Sequence, residues 1–284
     1  PKRTGGLREI NHPTPPLKFL QRWLVKNVFY SLPVNDSVKS YRSGIGILDV
    51  AAAHARNSYL LRTDFANFFP SLTGDDIRAL IVRNRKKLPL IRGNDDIDVI
   101  IKIVCRNNQL TIGAPRSPAL SNALLFEFDL RISNYCKKHV VAYTRYADDL
   151  FFSTNQPNVL KNVLETVKET IRGQRYPRLH LNESKTVFTS RKRRRIVTGL
   201  VLSSENKISL GRNKKRYIRS LVHKYRLKQL SESEISYLRG FLSYAKSVEP
   251  NFIGGLMKKF GTALIHTLLS EALTPRKVTP SIGL

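Results

Sequence analysis

The stretch that decides the fold is residues 143–152, YTRYADDLFF, which places Asp148 and Asp149 side by side between two strand-like runs. Both flanks, residues 140–146 and 150–153, are rich in the β-branched and aromatic residues that strands favour. Adjacent acids repel each other, so a doublet held between apolar strands needs a counter-charge. Hard divalent cations supply one, because they take carboxylate oxygens and keep positions open for phosphate. The stretch therefore predicts a hairpin whose turn carries half of a phosphoryl-transfer centre.

Two other acidic doublets show that an Asp-Asp pair alone proves little. The pair at 75–76 precedes apolar residues at helical spacing and is interpreted as the acidic first turn of a helix. The pair at 95–96 follows Gly93, in a composition typical of loops. Only the doublet at 148–149 has strand-like sequence on both sides, which favours a functional interpretation there over a solvated turn.

A third carboxylate, Asp64, lies at the end of another predicted strand, residues 58–65. An Asp at this position can cap the following segment, or it can join the doublet if the two strands lie side by side. In the second arrangement, three carboxylates can hold two metal ions about 4 Å apart and clamp the attacking and leaving oxygens of an in-line displacement. We expect the second arrangement.

Composition and charge indicate a polyanionic partner. The 284 residues suffice for one large domain, or for a core domain and a smaller one. Lys and Arg number 49 against 21 acids, a formal net charge of +28, which points to nucleic acid. No apolar run approaches the ~20 residues that span a bilayer, so no membrane partner is expected. The cations are spread over several elements rather than one amphipathic helix, which disfavours a lipid surface.

The cysteines and histidines indicate neither disulfides nor zinc. Cys105 and Cys136 lie in apolar, helix-like sequence, which predicts reduced, buried thiols in a cytoplasmic protein. The six His are scattered, and no Cys/His cluster has zinc spacing. The sequence begins at Pro1 rather than Met, which is compatible with a missing N-terminal segment.

The order of predicted elements is strand, helices, hairpin, helix and short strands, followed from about residue 211 by helices alone. Apolar periodicity predicts helices at about 16–29, 74–85, 97–105, from 118 onward, and 160–171. Short strands are predicted at 179–182, 186–188, 197–202 and 208–210. This order predicts an α+β fold, with helices on one face of an antiparallel sheet and a basic helical bundle after residue 211. In the bundle, Ser231 and Glu234 have capping-box spacing.

Two groups of cations are candidates for contact with nucleic acid. The run RKRRR at 191–195, which includes Arg193 and Arg194, is either a solvated loop or a contact with the phosphate backbone. The candidates in the helical bundle, beside an apolar stripe that begins at Ile218, are Lys215, Arg216, Arg219 and Arg226.

Together these motifs resemble reverse transcriptases, and among them the retron reverse transcriptases of bacteria. The YADD turn at 146–149 looks like the family's catalytic hairpin, and Asp64 with Phe69 five residues later looks like its first palm motif. Other stretches are similar to further family motifs: Arg8, Ile10 and Pro13 in the fingers; Gly113, Ala114 and Pro115 beside the nucleotide; Asn182, Lys185 and Thr186 near the triphosphate; and the retron-associated Val197, Thr198 and Gly199 near the primer grip. The resemblance spans about residues 8–259.

The resemblance implies a right-hand polymerase. Residues 1–57 would form part of the fingers, 58–210 the palm with a finger insertion at about 73–112, and 211–284 a helical thumb. Two Mg²⁺ ions would be held by the carboxylates and one backbone carbonyl, that is by Asp64, Phe65, Asp148 and Asp149. Phe69 would exclude ribonucleotides sterically. Lys185 would either protonate the leaving group or remain solvated.

The resemblance also implies the partners. The protein would be a bacterial, cytoplasmic RNA-directed DNA polymerase that uses dNTPs to copy a structured non-coding RNA. Its product would be a branched RNA–DNA hybrid, msDNA, that it retains. A separate effector protein and a role in phage defence are expected. The alternatives are an intron-type or diversity-generating reverse transcriptase, which the element at 197–199 disfavours, and a non-catalytic RNA-binding subunit, which three intact carboxylates disfavour.

Two departures from the family pattern have consequences. The family's Pro-Gln before Gly113 is replaced here by Thr111 and Ile112, which predicts altered nucleotide affinity or template tolerance. In the retron Asn-Ala-x-x-His element, Val50 takes the place of the Asn. His54 is therefore either a plain loop or core histidine, or a contact with RNA.

Overall fold

The computed structural model describes residues 12–111 and 117–270, which fall into two compact units that meet between Thr198 and Gly199 in sequence. The first unit contains, in chain order, α1 (Pro15–Asn27), α2 (Ile47–Ala55), β1 (Tyr59–Asp64), α3 (Gly74–Arg83), α4 (Asn94–Val104), β2 (Cys105–Arg106), β3 (Gln109–Leu110), α5 (Ser117–Leu124), α6 (Phe126–Lys138), β4 (Ala142–Tyr146), β5 (Asp149–Thr154), α7 (Val159–Gly173), β6 (Val187–Ser190) and β7 (Arg195–Val197). The division of the chain into fingers, palm and thumb stays a prediction.

A four-stranded antiparallel sheet forms the centre of the first unit, in the order β4-β5-β1-β6. Strands β4 and β5 form the predicted hairpin. Strand β1, from a distant part of the chain, pairs with β5 in a register that sets Asp64 opposite Asp149. Successive side chains of a strand point to opposite faces. The sheet therefore has one face that carries these acids and another that is apolar.

The apolar face packs against helices α6 and α7. Leu61, Leu150 and Phe152 of the sheet share one core with the buried stripe of α7, formed by Leu160, Val163, Leu164 and Val167. Each such side chain contributes about 1.5–3 kcal/mol when fully buried. The predicted helix at 160–171 therefore packs on the apolar face and not on the face that carries the acids.

Helix α2 covers the face that carries the acids, at the end of the hairpin away from the turn. Its Val50, Ala51 and His54 are buried, and the two His54 ring nitrogens lie 2.7 Å from the hydroxyls of Ser153 and Thr144. The prediction of helices on one face is therefore incomplete, because α2 occupies part of the second face and leaves only the end with Asp64 uncovered by it.

Several predicted boundaries are corrected by local backbone geometry. The helix predicted from 118 is two helices, broken at Leu125. The loop predicted at 95–96 is the first turn of α4, where Asp96 accepts hydrogen bonds from the amides of Arg92 and Gly93. The acidic start of α3 is confirmed, with Asp76 in a capping box.

Two predicted strands are also corrected. The strand at 179–182 is reduced to a single bridge between Phe65 and Leu181. The strand at 197–202 is interrupted because Thr198 and Gly199 have φ of 48° and 79°, in the left-handed region that an extended strand cannot contain.

The second unit is helical apart from one small hairpin. It contains β8 (Leu200–Leu202), which pairs antiparallel with β9 (Ile208–Ser209), and then α8 (Arg212–Arg226), α9 (Glu232–Val248), α10 (Pro250–Phe260) and α11 (Thr262–Ser270). Its core is built from the helix faces that contain Val222, Leu242, Leu256 and Leu268. The predicted capping box is confirmed, since the Ser231 hydroxyl accepts from the Glu234 amide and the Ser231 amide donates to Glu234.

The two thiols are free, and Cys136 is buried as predicted, whereas Cys105 is only half-buried. Burial raises the pKa of both to about 12, which makes them poor nucleophiles. Across the described ranges, no helix combines the length and hydropathy that crossing a bilayer requires.

Candidate active site

The turn between β4 and β5 consists of Ala147 and Asp148. Ala147 has φ of 56°, the left-handed value that the first position of a two-residue hairpin turn requires. A residue other than glycine adopts this conformation only when its surroundings hold it there. Its side chain is buried, and the conformation brings Asp148 and Asp149 to the end of the sheet.

Asp64 lies at the same end of the sheet. It is the direct cross-strand partner of Asp149, and Cα atoms in such pairs are about 5 Å apart. One residue further, the Phe65 amide donates to the Asp148 carbonyl over 3.1 Å. The expectation that the two predicted strands are neighbours is therefore met, and Asp64 does not cap the following segment.

The three carboxylates form a strongly negative, largely buried group. Burial raises the pKa of Asp148, and the charges of Asp149 and Asp64 raise it further. Burial also raises the pKa of Asp149, against an opposing effect from Arg62. Two cations lie against the group, with Lys185 Nζ 2.5 Å from Asp64 Oδ2 and Arg62 Nη2 2.9 Å from Asp149 Oδ1.

One oxygen of this group lacks a partner. Asp64 is 2% exposed, and its Oδ1 is buried without a hydrogen bond. A buried carboxylate oxygen without a partner is costly. Among the described residues, no three His, Cys, Asp or Glu side chains are gathered as metal ligands, and two of these carboxylates are paired instead with Lys185 and Arg62. The orphan oxygen and the raised pKa values are nevertheless what a hard divalent cation would relieve, so the residues fit such an ion.

Phe69 is connected to Phe65, the residue after Asp64, by a chain of aromatic contacts. It is half-buried and meets Phe68 edge-on with the ring centroids 5.2 Å apart, and Phe68 stacks on Phe65 at 5.6 Å. The proposed ligand at Phe65 is a backbone carbonyl, and that role stays a prediction. The predicted nucleotide contacts Gly113, Ala114 and Pro115 lie outside the described residues, as do Arg8 and Ile10 of the predicted fingers motif.

His54 is a core residue, which corrects its prediction as a nucleic-acid contact. The side chain is fully buried, and both ring nitrogens are used by Thr144 and Ser153. Burial lowers the pKa of His54 to about 3, so the ring is neutral. It presents no atom to a nucleic acid. The interpretation as a plain core histidine is the one that the geometry supports.

The element at 197–199 is only partly available for contact. The Val197 side chain is fully buried, which corrects its prediction as a nucleic-acid contact. The Thr198 hydroxyl donates to the Ile47 carbonyl over 3.2 Å. Thr198 and Gly199 are half-exposed, and their positive φ values form a sharp turn. Contact by these two residues stays a prediction.

The basic run at 191–195 contains both residues that bond to the main chain of the fold and residues that are exposed. Arg195 is buried and donates to the carbonyls of Ala55 and Asn57, while Arg191 donates to the Arg56 carbonyl over 2.8 Å. These guanidinium groups satisfy carbonyls at and just beyond the C-terminal end of α2. The exposed members are residues 192–194, so Arg193 and Arg194 remain candidates for phosphate contact.

The cations predicted in the helical unit also differ from one another. Lys215 is 22% exposed and pairs with Glu249 over 2.9 Å, so its charge is already compensated within the unit. This pairing disfavours the predicted contact between Lys215 and nucleic acid. Arg216, Arg219 and Arg226 are exposed, and the latter two lie over the rings of Phe252 and Phe260.

Arg62, the counter-ion of Asp149, was not predicted from the sequence. Arg62 is two residues before Asp64 in the same strand, and residues at that spacing point to the same face of a sheet. A cation at this position in an otherwise apolar strand was the available signal. Ser40 and Asp129, which support the turn from other elements, were not predicted either.

Comparisons with known proteins identify the family of the chain. A family model described as reverse transcriptase (RNA-dependent DNA polymerase) matches residues 1–238. The chain is 38% identical to the retron Ec83 reverse transcriptase of Escherichia coli, over 94% of this chain and 87% of that protein. It is 32% identical to the retron Ec73 reverse transcriptase of Escherichia coli, over 91% and 84%. Among solved structures, apo telomerase from Candida tropicalis has a TM-score of 0.48 at 13% identity, over 89% of this chain and 52% of that chain.

The chain therefore belongs to the reverse transcriptase family, whose members are RNA-directed DNA polymerases and generally use divalent metal ions. Its similarity to named relatives over nearly its whole length makes it, more particularly, a retron reverse transcriptase. The α+β fold with an antiparallel sheet, predicted from the order of elements, is confirmed.

Proposed function

We propose that this protein synthesises msDNA, a branched RNA–DNA hybrid copied from a structured non-coding RNA, with Asp64, Asp148 and Asp149 as its catalytic residues. The observation that supports the catalytic assignment is the register that sets Asp64 opposite Asp149 and one step from Asp148. Three acids from two distant segments meet there at one end of the sheet, and one carboxylate oxygen of Asp64 lacks a partner.

In this proposal the three carboxylates and the Phe65 carbonyl would hold two Mg²⁺ ions. These ions would lower the pKa of the primer hydroxyl and neutralise charge on the triphosphate. Without metal, the positive charges of Lys185 and Arg62 offset the charges of Asp64 and Asp149. Lys185, which is about half exposed on its side chain, then turns to the triphosphate and donates a proton to the departing pyrophosphate.

Phe69 lies under the sugar of the incoming nucleotide and leaves no space for a ribose 2′-OH. The loop that contains Gly113, Ala114 and Pro115 completes the nucleotide site. The exposed Arg193, Arg194, Arg216, Arg219 and Arg226 contact phosphates of the RNA or of the hybrid, together with the half-exposed Thr198 and Gly199. Such contacts give affinity without sequence preference.

The names of the two relatives compared above, both retron reverse transcriptases, support a proposal for the biological setting. We propose that the protein acts in the bacterial cytoplasm, starts synthesis from an internal 2′-OH of its RNA and stays bound to the product. A separate effector protein would use this complex in phage defence.

The catalytic assignment is tested by primer extension on an RNA template with dNTPs and Mg²⁺. Replacing Asp148→Asn and Asp149→Asn together should lower the extension rate by about 10³-fold or more, the scale of loss when preorganised electrostatic groups are removed. RNA affinity should stay within about twofold, because the change touches no phosphate contact.

A matched control is Asp95→Asn, which makes the same chemical change in an exposed acid of another doublet. It should retain normal extension. Extension by the double variant at the wild-type rate would refute the assignment. The msDNA proposal is tested separately, by purifying the protein from its native operon and sequencing the nucleic acid. Absence of a covalent RNA–DNA branch in that material would refute it.

A further inference from the structure

The peptide groups on both sides of Ala147 are held from behind the turn. The Ala147 amide donates to the Ser40 hydroxyl over 2.9 Å. The Ala147 carbonyl accepts from Arg145 Nη1 over 3.0 Å. A peptide group is planar, so a bond to this carbonyl also fixes the amide plane of Asp148. Ser40 and Arg145 thus determine where the turn presents Asp148.

Arg145 is held in place by a buried carboxylate. Both Arg145 and Asp129 are fully buried, and Arg145 Nη2 lies 2.7 Å from Asp129 Oδ2, with Nε within 2.9 and 3.1 Å of the two carboxylate oxygens. Two donors of a guanidinium on one carboxylate fix both position and plane. The Tyr143 hydroxyl donates to Asp129 Oδ1 over 2.7 Å and completes that oxygen's environment.

Asn122 connects the two supports of the turn. Its side-chain oxygen accepts from Arg145 Nη1 at 3.3 Å, and its side-chain nitrogen donates to the Ser40 carbonyl at 3.0 Å. The main chain of Arg145 adds two more bonds to the same loop, donating to Ser37 and accepting from Lys39. Networks in which every member is satisfied make a buried region rigid.

We propose that Arg145, oriented by Asp129 and acting with Ser40, is a positioning residue that holds the Ala147–Asp148 turn in its catalytic conformation. The inference rests on the proposed catalytic role of Asp148 and Asp149. Its reason is the conformation of Ala147, which has a positive φ without being glycine and therefore persists only under restraint. A displacement of about 1 Å at a reacting group can cost about 10²-fold in rate.

The stability of the fold does not by itself explain the buried ion pair between Arg145 and Asp129. A buried ion pair is weak evidence for stability, since apolar residues of similar volume often do as well. Here the pair connects α6 to the carbonyl next to the catalytic doublet, so its geometry is transmitted to Asp148. This distinguishes Arg145 from Arg195, whose bonds reach carbonyls near the end of α2.

The test compares the steady-state rate of primer extension by two variants of the network and one control variant on the same RNA template. Ser40→Ala removes a single acceptor from the turn, and Arg145→Lys keeps the charge but loses the fork that reaches both Asp129 and Ala147. We expect kcat to fall about 10²-fold in each. The KM for dNTP and the affinity for RNA should stay within about twofold of wild type, because neither residue touches substrate.

Ser153→Ala is the control. Ser153 is also fully buried, accepts hydrogen bonds at 2.7 Å from Asn57, contacts His54 at 2.7 Å, and lies at the other end of β5. It should lower the melting temperature about as much as Ser40→Ala while kcat stays within about twofold. If Ser40→Ala and Arg145→Lys lower kcat no more than Ser153→Ala does, the network is structural only and the inference is wrong. A failure of the catalytic assignment would instead appear as normal extension by the Asp148→Asn, Asp149→Asn variant.

Discussion

Asp64 shows at the level of one side chain why the sheet end is suited to cation chemistry. One carboxylate oxygen is paired with Lys185 and the other is buried without a partner. A residue selected for stability alone would have both oxygens satisfied, because unmet buried acceptors cost about 1–3 kcal/mol. Because Asp64 lies opposite Asp149 and has this unpartnered oxygen, we expect a cation to bind at that end of the sheet.

Phe69 carries a prediction at the same scale. Replacing Phe69→Ala should open space beside the sugar and let ribonucleotides enter. The ratio of kcat/KM for a dNTP to that for its rNTP should fall by about 10-fold or more, as expected when a pocket loses a side chain that excludes one group. Any general loss of folding affects both nucleotides equally, so the ratio is its own control. An unchanged ratio would remove Phe69 from the nucleotide site.

At the scale of elements, helices and strands whose sequence pattern extends over several residues were predicted, and features that depend on one or two residues were not. The apolar period of α7 and the β-branched and aromatic residues of the hairpin between β4 and β5 were sufficient, since each pattern extends over several residues. The divided strand at 197–202 could not be foreseen, because it depends on two residues with positive φ, Thr198 and Gly199. Turn conformations of this kind are set by tertiary contacts rather than by composition.

Some residues of the candidate site could likewise be recognised from the sequence, and others could not. The doublet was recognisable because acids between apolar strands are unusual, and Asp64 because it ends a buried strand. The network behind the turn was not recognisable. Asp129 and Asn122 lie on helices where a polar residue looks like part of a solvated face, and only the pairing of elements shows that they are buried against Arg145.

The packing of α2 on the sheet makes a pH-dependent prediction. His54 is neutral in the fold with a pKa of about 3, against 6.5 ordinarily. Between these values the unfolded chain binds one more proton than the folded chain, so the free energy of unfolding falls as the pH drops through this window. The fall from this one group is about 2 kcal/mol between pH 7.5 and pH 5.

His54→Gln should remove that part of the pH dependence while lowering stability at neutral pH, since it disturbs two buried hydrogen bonds. Urea unfolding at pH 7.5 and pH 5 measures both effects. His180→Gln, in an exposed histidine, is the control and should keep the wild-type difference between the two pH values. If His54→Gln and wild type lose the same free energy on acidification, His54 is not a buried neutral residue.

At the scale of the whole molecule, a net charge of +28 predicts strongly salt-dependent binding of RNA. The structure predicts which cations contribute. Arg216→Gln should lower the slope of log affinity against log salt by about 1, the expectation for one lost phosphate contact. Lys215→Met should leave that slope unchanged, because Lys215 is already paired with Glu249. Filter binding or fluorescence anisotropy over a salt series measures both.

These two neighbouring cations are a matched pair, since both belong to α8 and both variants remove one positive charge. Equal slopes for the two variants, whether reduced or not, would contradict the view that pairing inside the helical unit decides which cations meet the nucleic acid.

The most direct measurement of the central claim is the number of divalent ions bound at the sheet end. Mn²⁺ serves as a paramagnetic probe, titrated into the protein with RNA template, a chain-terminated primer and dNTP and followed by electron paramagnetic resonance. The wild type and Asp95→Asn should bind two ions that Asp64→Asn fails to hold, because in the proposed site Asp64 would be one of the residues that hold the pair. If Asp64→Asn retains both ions at wild-type affinity, then these three carboxylates do not form a shared metal site and the account is contradicted.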